Sequence, residues 1–245
     1  MGTPNRRSHT THAARSQHVG AAIALLTCIG LAACTAAETP SPASSAETRT
    51  VAPFPENGDL DAGTYLVTGY TVPFEVTVPG GWETGDGANL FKDDPNHPED
   101  GAVFLVFWPG DHLPTDACAW RGTLVRVGPT AEAFVDAMTA QSSSVTTAPV
   151  PVVVGDYSGL EFAHSVESDV DITGCDGGKL CVHSDQAQEC GRWYSDPGER
   201  ETYRVVDLDT ERAVIAVGQF YESIDPALIE EARAVFDSIV FVARD

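Results

Sequence analysis

Cys175, Cys181, His183 and Cys190 crowd one short segment of the chain. Zinc is held by four such sulfur and nitrogen ligands, so this set is the first place to look for chemistry. Its spacing argues otherwise, because it contains no C-x-x-C pair. Of the six cysteines, Cys28 falls in the expected signal peptide and Cys34 is the expected lipid site, so with Cys118 upstream an even four remain; in an oxidising compartment four cysteines read as two disulfides with three possible connectivities. The favoured pairing joins Cys118 to Cys175 and Cys181 to Cys190. The second bridge then staples the loop "CVHSDQAQEC" and the first ties it to the body. Loop closure assigns roughly 4 kcal/mol to the long bridge and roughly 3 to the short one. No metal ligand and no cofactor is assigned.

The remaining reactive residue types are scattered. Ser158 lies between glycines in "GDYSG" (155–159), but the order is G-x-x-S-G and not the G-x-S-x-G nucleophile elbow, so a β-turn is the better reading. His97, His112, His164 and His183 are the histidines beyond the first 33 residues, and none belongs to H-E-x-x-H. His164, near Glu161 and Glu167, reads as a partly exposed surface histidine rather than a general base. The acidic runs 92–101 and 167–178 offer oxygen ligands of the kind calcium prefers. Neither follows the D-x-[DN]-x-[DN]-G loop, and both read as solvated acidic loops. Trp82, Trp108, Trp120 and Trp193 are candidates for lining a ligand cleft. Of these, Trp82 after "PGG" and Trp120 beside Cys118 read as core and disulfide packing. No catalytic residue emerges.

Where the cysteines work depends on the N-terminus. Arg6, Arg7 and Arg15 precede an uncharged run, Val19–Ala33, too short for the roughly 20 apolar residues that span a bilayer. A basic region, an apolar region and then Ala32 and Ala33 make a secretory signal. The ending "LAAC" resembles the lipobox of bacterial lipoproteins. That resemblance implies a diacylglycerol on the Cys34 thiol and cleavage that leaves Cys34 first. Arg6 and Arg7 lack the following apolar residues of a twin-arginine signal, so Sec export is expected. Residues 1–33 are read as signal peptide and 34–57 as a lipidated Ala/Ser/Thr/Pro linker, with one globular domain over 58–245.

Charge narrows the partners. The chain has 14 basic and 36 acidic residues, a formal charge of −22. Removing residues 1–33 takes three arginines and no acid, leaving 11 basic against 36 acidic residues, or −25. Such a surface repels phosphate backbones and anionic headgroups, which disfavours nucleic acid and electrostatic membrane docking. Contact with the membrane must then run through lipid on Cys34, where two acyl chains anchor stably and one does so marginally. Residues 35–57 hold few large apolar side chains beyond Val51 and Phe54 and cannot build a core. As a flexible coil they reach about 26 Å.

The elements that must position these residues come next. Phe74, Val76 and Val78 alternate with Glu75 and Thr77, the period of a half-buried strand ended by "PGG". "AVFLVFW" (102–108) is apolar throughout, as in a strand covered on both faces. "GPTAEAFVDAMTAQ" (128–141) predicts a helix capped by Thr130, with Phe134, Val135, Ala137 and Met138 inward. Residues 148–166 predict strand, turn at Gly155-Asp156, strand, and 201–221 a hairpin through "DLDTER". Asp225 and Pro226 start a second helix, where Pro at the first position loses no hydrogen bond. Leu228, Ile229, Ala232, Val235, Phe236 and Ile239 line its inner face, and "IVFV" (239–242) ends as a strand. The fold class is α+β with an antiparallel-rich sheet.

"VPFEVTVPGGWE", "DACAWRGTLVRVGPTAEAFVDAM", "PVVVGDYSGLEF" and "VFDSIVF", in that order, resemble the small actinobacterial cell-envelope lipoproteins of the LpqN and PsbP-like group. The resemblance covers most of residues 60–243. It implies a PsbP-like sandwich, a twisted sheet with two main helices packed on it, and no established catalysis. The cysteine-rich stretch from Cys175 to Pro197 departs from the simplest form of that pattern. The expectation is an extracytoplasmic binding or accessory domain on the outer face of the cell membrane, with an envelope protein or a lipid as its ligand. A lipid or glycolipid carrier and an envelope hydrolase are the alternatives.

Overall fold

The computed structural model describes residues 51–95 and 102–242. Strands β1 (Val51–Pro53), β2 (Gly58–Leu60), β3 (Gly63–Val67), β4 (Phe74–Val78), β5 (Trp82–Gly85), β6 (Asn89–Lys92) and β7 (Val103–Phe107) come first. β8 (His112–Pro114) and β9 (Leu124–Arg126) precede helix α1 (Ala131–Ala140), followed by β10 (Ser144–Thr146), β11 (Val150–Val154) and β12 (Tyr157–Val166). The chain continues through β13 (Leu180–His183), β14 (Arg192–Tyr194), β15 (Arg200–Asp207) and β16 (Arg212–Gln219). It ends with helix α2 (Pro226–Asp237) and β17 (Val240–Phe241). The fold is α+β and strongly sheet-dominated, with two α-helices among the described residues.

The main sheet runs β10-β12-β15-β16-β7-β6-β5-β2, with β11 beside β12. Its pairings are antiparallel. Both faces are covered. On one, Val103, Leu105 and Phe107 of β7 and Ile215 of β16 pack with α2 and a smaller sheet, β1-β3-β4-β17. On the other, Phe104, Val106, Tyr203 and Val205 meet α1 and the β13–β14 hairpin. Double coverage explains why β7 shows no alternation of apolar and polar residues.

The helices follow their start signals. The Thr130 hydroxyl accepts from the Ala133 N–H at 3.2 Å, and Asp225 accepts from the Ala227 N–H at 2.9 Å. α1 buries Ala131, Phe134, Val135 and Met138, and α2 buries Ala232, Val235 and Phe236. In "GDYSG", Gly155 takes a φ of +62° and Gly159 passes the β15 backbone so closely that a Cβ there would lie 2.3 Å from the Val205 carbonyl oxygen. These glycines answer to backbone geometry, and Ser158 is exposed on β12.

Residues 51–57 correct the linker boundary. Val51–Pro53 pairs in parallel with β3, and Phe54 packs edge-on against Tyr65 and Phe107 at 6.2 and 6.0 Å. An edge strand is held mainly by its backbone, so a Pro-rich composition does not exclude one. The signal peptide and Cys34 lie outside the described residues. Among those described, no helix is long and apolar enough to cross a membrane.

Candidate functional site

The β13–β14 hairpin organises the cysteine-rich segment. Cys118 is bonded to Cys175 and Cys181 to Cys190. Three of the four ligands of the zinc alternative are thereby spent in disulfides. The fourth, His183, is buried against the rings of Phe134 and Tyr203. The acidic stretch after Glu167 is likewise engaged: Asp171 caps a 3₁₀ turn at the Thr173 N–H, and Asp176 accepts from the Arg121 N–H. The run 92–101 lies partly, and His97 wholly, outside the described residues.

β14 alternates in burial, with Arg192 and Tyr194 inward and Trp193 outward. β15 presents Glu201, Tyr203 and Val205 to the same layer, and β12 presents Phe162, His164 and Val166. A charged group therefore enters the core beside ligands able to satisfy it. The Arg192 Nε–H donates to Glu201 at 2.5 Å, one terminal nitrogen donates to Glu199 at 3.0 Å, and the other donates to the Trp193 carbonyl at 2.5 Å. Glu201 also accepts from the hydroxyls of Tyr194, at 3.0 Å, and Tyr203.

The chain of contacts continues inward. Tyr194 Oη lies 2.8 Å from His164 Nδ1, and His164 Nε2 lies 3.3 Å from Gln141 Oε1. Gln141 gives its amide hydrogens to the carbonyls of Pro114 and Val182, which leaves Oε1 as the acceptor towards His164. Nε2 of His164 then carries the proton and Nδ1 accepts. The single Tyr194 proton thus faces His164 Nδ1 and Glu201, with the His164 carbonyl a longer third acceptor at 3.4 Å.

Burial shapes the titration of His164, His183, the two tyrosines, Arg192 and Glu199. His164 is buried, not a surface residue as its acidic neighbours suggest, because Phe162 and Val166 at i±2 turn it inward. Burial, with Arg192 nearby, holds His164 down to about 3. His183 is likewise held down to about 3, by burial and then Arg192. Burial pushes the Tyr194 and Tyr203 phenols well above their ordinary range, reinforced by Glu201. Burial alone would lower Arg192, but Glu201 and Glu199 outweigh it and keep the guanidinium charged. Burial pushes Glu199 up, outweighing the lowering by Arg192 and by the N–H groups of Ser195 and Asp196.

Two members of this cluster, Arg192 and Glu199, line a cleft of about 670 Å³. The cover of α1 and the hairpin leaves Phe91 on β6 half-buried, and the cleft opens there. Its apolar lining is mostly aromatic, with Phe91, Phe104, Trp108, Trp193 and Phe220 beside Leu90 and Val106. Asp93, Arg192, Ser195 and Glu199 supply the polar edges. Arg192 lies 4.6 Å from the Phe104 ring centre, and the Lys179 ammonium 3.8 Å from that of Trp193. Trp82 and Trp120 lie elsewhere, buried and bonded through Nε1 to Glu231 and to the Asp176 carbonyl. A preformed cleft of this size, largely aromatic with a few convergent polar groups, has the character of a small-molecule site. Sequence reasoning brought Trp108 and Trp193 forward but not Arg192, Glu199 or Glu201. The signal for Glu201 was the period-2 order Glu201, Tyr203, Val205.

The fold and cleft define a sheet-dominated α+β domain with a preformed cleft. Among solved structures the chain is similar to cyanobacterial PsbP (CyanoP) from Synechocystis sp. PCC 6803, determined in solution. The two share 10% identity at a TM-score of 0.36, over 75% of this chain and 95% of that one. A likeness at this level carries no conclusion about activity, ligand or partners. No protein-family model matches the sequence, and no curated protein matches it.

Proposed function

We propose that the protein is a non-catalytic binding module of the cell envelope, held on the outer face of the membrane by lipid on Cys34, whose cleft takes a small amphiphilic ligand. The observation that carries this reading is the preformed aromatic cleft of about 670 Å³, within the size range of small-molecule sites. The "LAAC" motif supports the anchor and the order of the sequence motifs supports kinship with the LpqN and PsbP-like lipoproteins. The strongly acidic chain disfavours nucleic acid as a partner. The apolar lining of the same cleft favours a second reading, in which the ligand is a lipid or glycolipid in transit.

Native mass spectrometry of the full chain, extracted from its own membrane, tests both. A bound small molecule lost in Trp108→Ala supports the module, and a bound lipid of membrane composition supports the carrier. A chain that emerges empty and binds nothing on incubation with envelope extracts refutes both. Labelling with a lipid analogue, abolished in Cys34→Ala, is expected for the anchor; retained label refutes it.

A further inference from the structure

We infer that the cleft selects an organic cation, an ammonium or guanidinium on an apolar body, over neutral and anionic isosteres; this rests on the binding-module reading above. The charges at the cleft decide the sign. Arg192 is its cationic wall residue, and three of its N–H groups are committed to Glu201, Glu199 and the Trp193 carbonyl. Two carboxylates therefore already answer one guanidinium, and Asp93 adds a third at the edge. Lys179, the other nearby cation, leaves the region with more negative than positive charge. The formal charge of −22 over the whole chain steers cations inward and anions away.

The aromatic lining supplies the matching attraction. Cations are drawn to the faces of Trp and Phe rings, most strongly when desolvated. This chain already uses that interaction twice at the cleft. Arg192 lies 4.6 and 5.9 Å from the ring centres of Phe104 and Phe220, which are themselves 4.5 Å apart. The Lys179 ammonium sits 3.8 Å from the ring centre of Trp193, a residue 37% exposed. Lys179 is thus the chain's own occupant of a ring that an incoming ammonium would use. Removing it frees the ring and a carboxylate field for the ligand. An anionic ligand would instead lose an attractive partner.

Isothermal titration calorimetry on the full chain in neutral detergent, at fixed ionic strength, compares three probes of similar size: phenyltrimethylammonium, tert-butylbenzene and benzenesulfonate. The cation is expected to bind about tenfold more tightly than the neutral probe, and the sulfonate not measurably. Asp93→Asn is expected to weaken the cation several-fold and leave tert-butylbenzene unchanged. Lys179→Met is expected to tighten the cation several-fold. Equal or tighter binding of the neutral probe or the sulfonate overturns the inference while leaving the module reading standing. So does cation affinity that neither variant moves. Binding of none of the three overturns the inference together with the reading beneath it.

Discussion

Replacing Arg192 by Met keeps a linear side chain against Phe104 but removes the charge. It leaves Glu199, 1% exposed, and Glu201, 2% exposed, without their guanidinium. Removing one partner of a buried ion pair costs about 3–5 kcal/mol, because the remaining charge stays buried and uncompensated. In a domain of this size each kcal/mol moves the midpoint by about 2–4 °C, so Tm should fall by about 6–20 °C. The control is the triple variant Arg192→Met, Glu199→Gln, Glu201→Gln, which removes the stranded charges and should recover at least half of the loss. The pH dependence has a definite sign. Burial already raises Glu199 with Arg192 beside it, and losing the guanidinium raises it further above the unfolded value of about 4.3, so both states carry it protonated below that pH. The deficit against the parent is therefore smallest near pH 4 and grows as pH rises to 7. Circular-dichroism melts from pH 4 to 7 measure it. A deficit independent of pH, or a triple variant no better than the single, refutes the view that stranded charge is the cause.

Among the described residues neither buried ring nitrogen of His183 has a hydrogen-bond partner, so His183→Phe should stabilise the protein at neutral pH; a lower Tm there refutes the assignment. His164 and His183 are held to about 3 in the folded state, below the unfolded value of about 6.5. Their depressed values contribute stability present above pH 6.5 and lost as pH falls towards 3. Denaturant titrations should show about 2–3 kcal/mol lost per pH unit in that window, and about half that slope in His183→Phe. Replacing both cysteines of Cys118–Cys175 by Ala should cost about 4 kcal/mol, against about 2.6 for Cys181–Cys190, following sequence separations of 57 and 9. Urea midpoints in the opposite order would exclude loop-closure entropy as the main contribution. Gly159→Ala should cost more than 2 kcal/mol or abolish folding, since its Cβ would meet the Val205 carbonyl at 2.3 Å; a neutral outcome in thermal melts contradicts that packing.

The parts of the fold legible in the sequence were those in which one local rule decided the outcome. Thr130 and Asp225 announce helix starts by side-chain capping, and each does cap. β7 announces double coverage by having no polar position, and β15–β16 announce a hairpin by two β-rich runs around "DLDTER". β1 was illegible because its stability comes from backbone pairing with β3, which composition does not report. The buried cluster was illegible for a different reason. Nothing in the local sequence marks Arg192 or Glu199 as buried; the Cys181–Cys190 bridge and the β13–β14 pairing carry them over β15. His164 was within reach: Phe162 and Val166 flank it with strand period, and that pattern outranks the charges of Glu161 and Glu167.

A buried Arg–Glu–Tyr–His cluster is a poor way to add stability, since well-packed apolar residues of the same volume often do as well or better. Its geometry suits another role. Three donors of Arg192 go to three acceptors on different parts of the chain: Glu201 on β15, Glu199 in the connection before it, and the Trp193 carbonyl on β14. Apolar contacts would tolerate sliding of the hairpin across the sheet, whereas the directional bonds to Glu201 and Glu199, with the guanidinium oriented by the Trp193 carbonyl, do not. Trp193 neighbours Arg192 on that hairpin, and Phe104 lies beneath the guanidinium on β7. The cluster therefore fixes the separation of the two sides of the cleft, Trp193 on one and Phe91 and Phe104 on the other, before any ligand arrives. Preorganisation of this kind lowers the ordering cost of binding. It follows that Arg192→Met with the two glutamine substitutions, even where stability is recovered, should still bind the cationic probe more weakly, with a less favourable binding entropy in calorimetry. Unchanged affinity in that triple variant would show that the cluster serves the core alone.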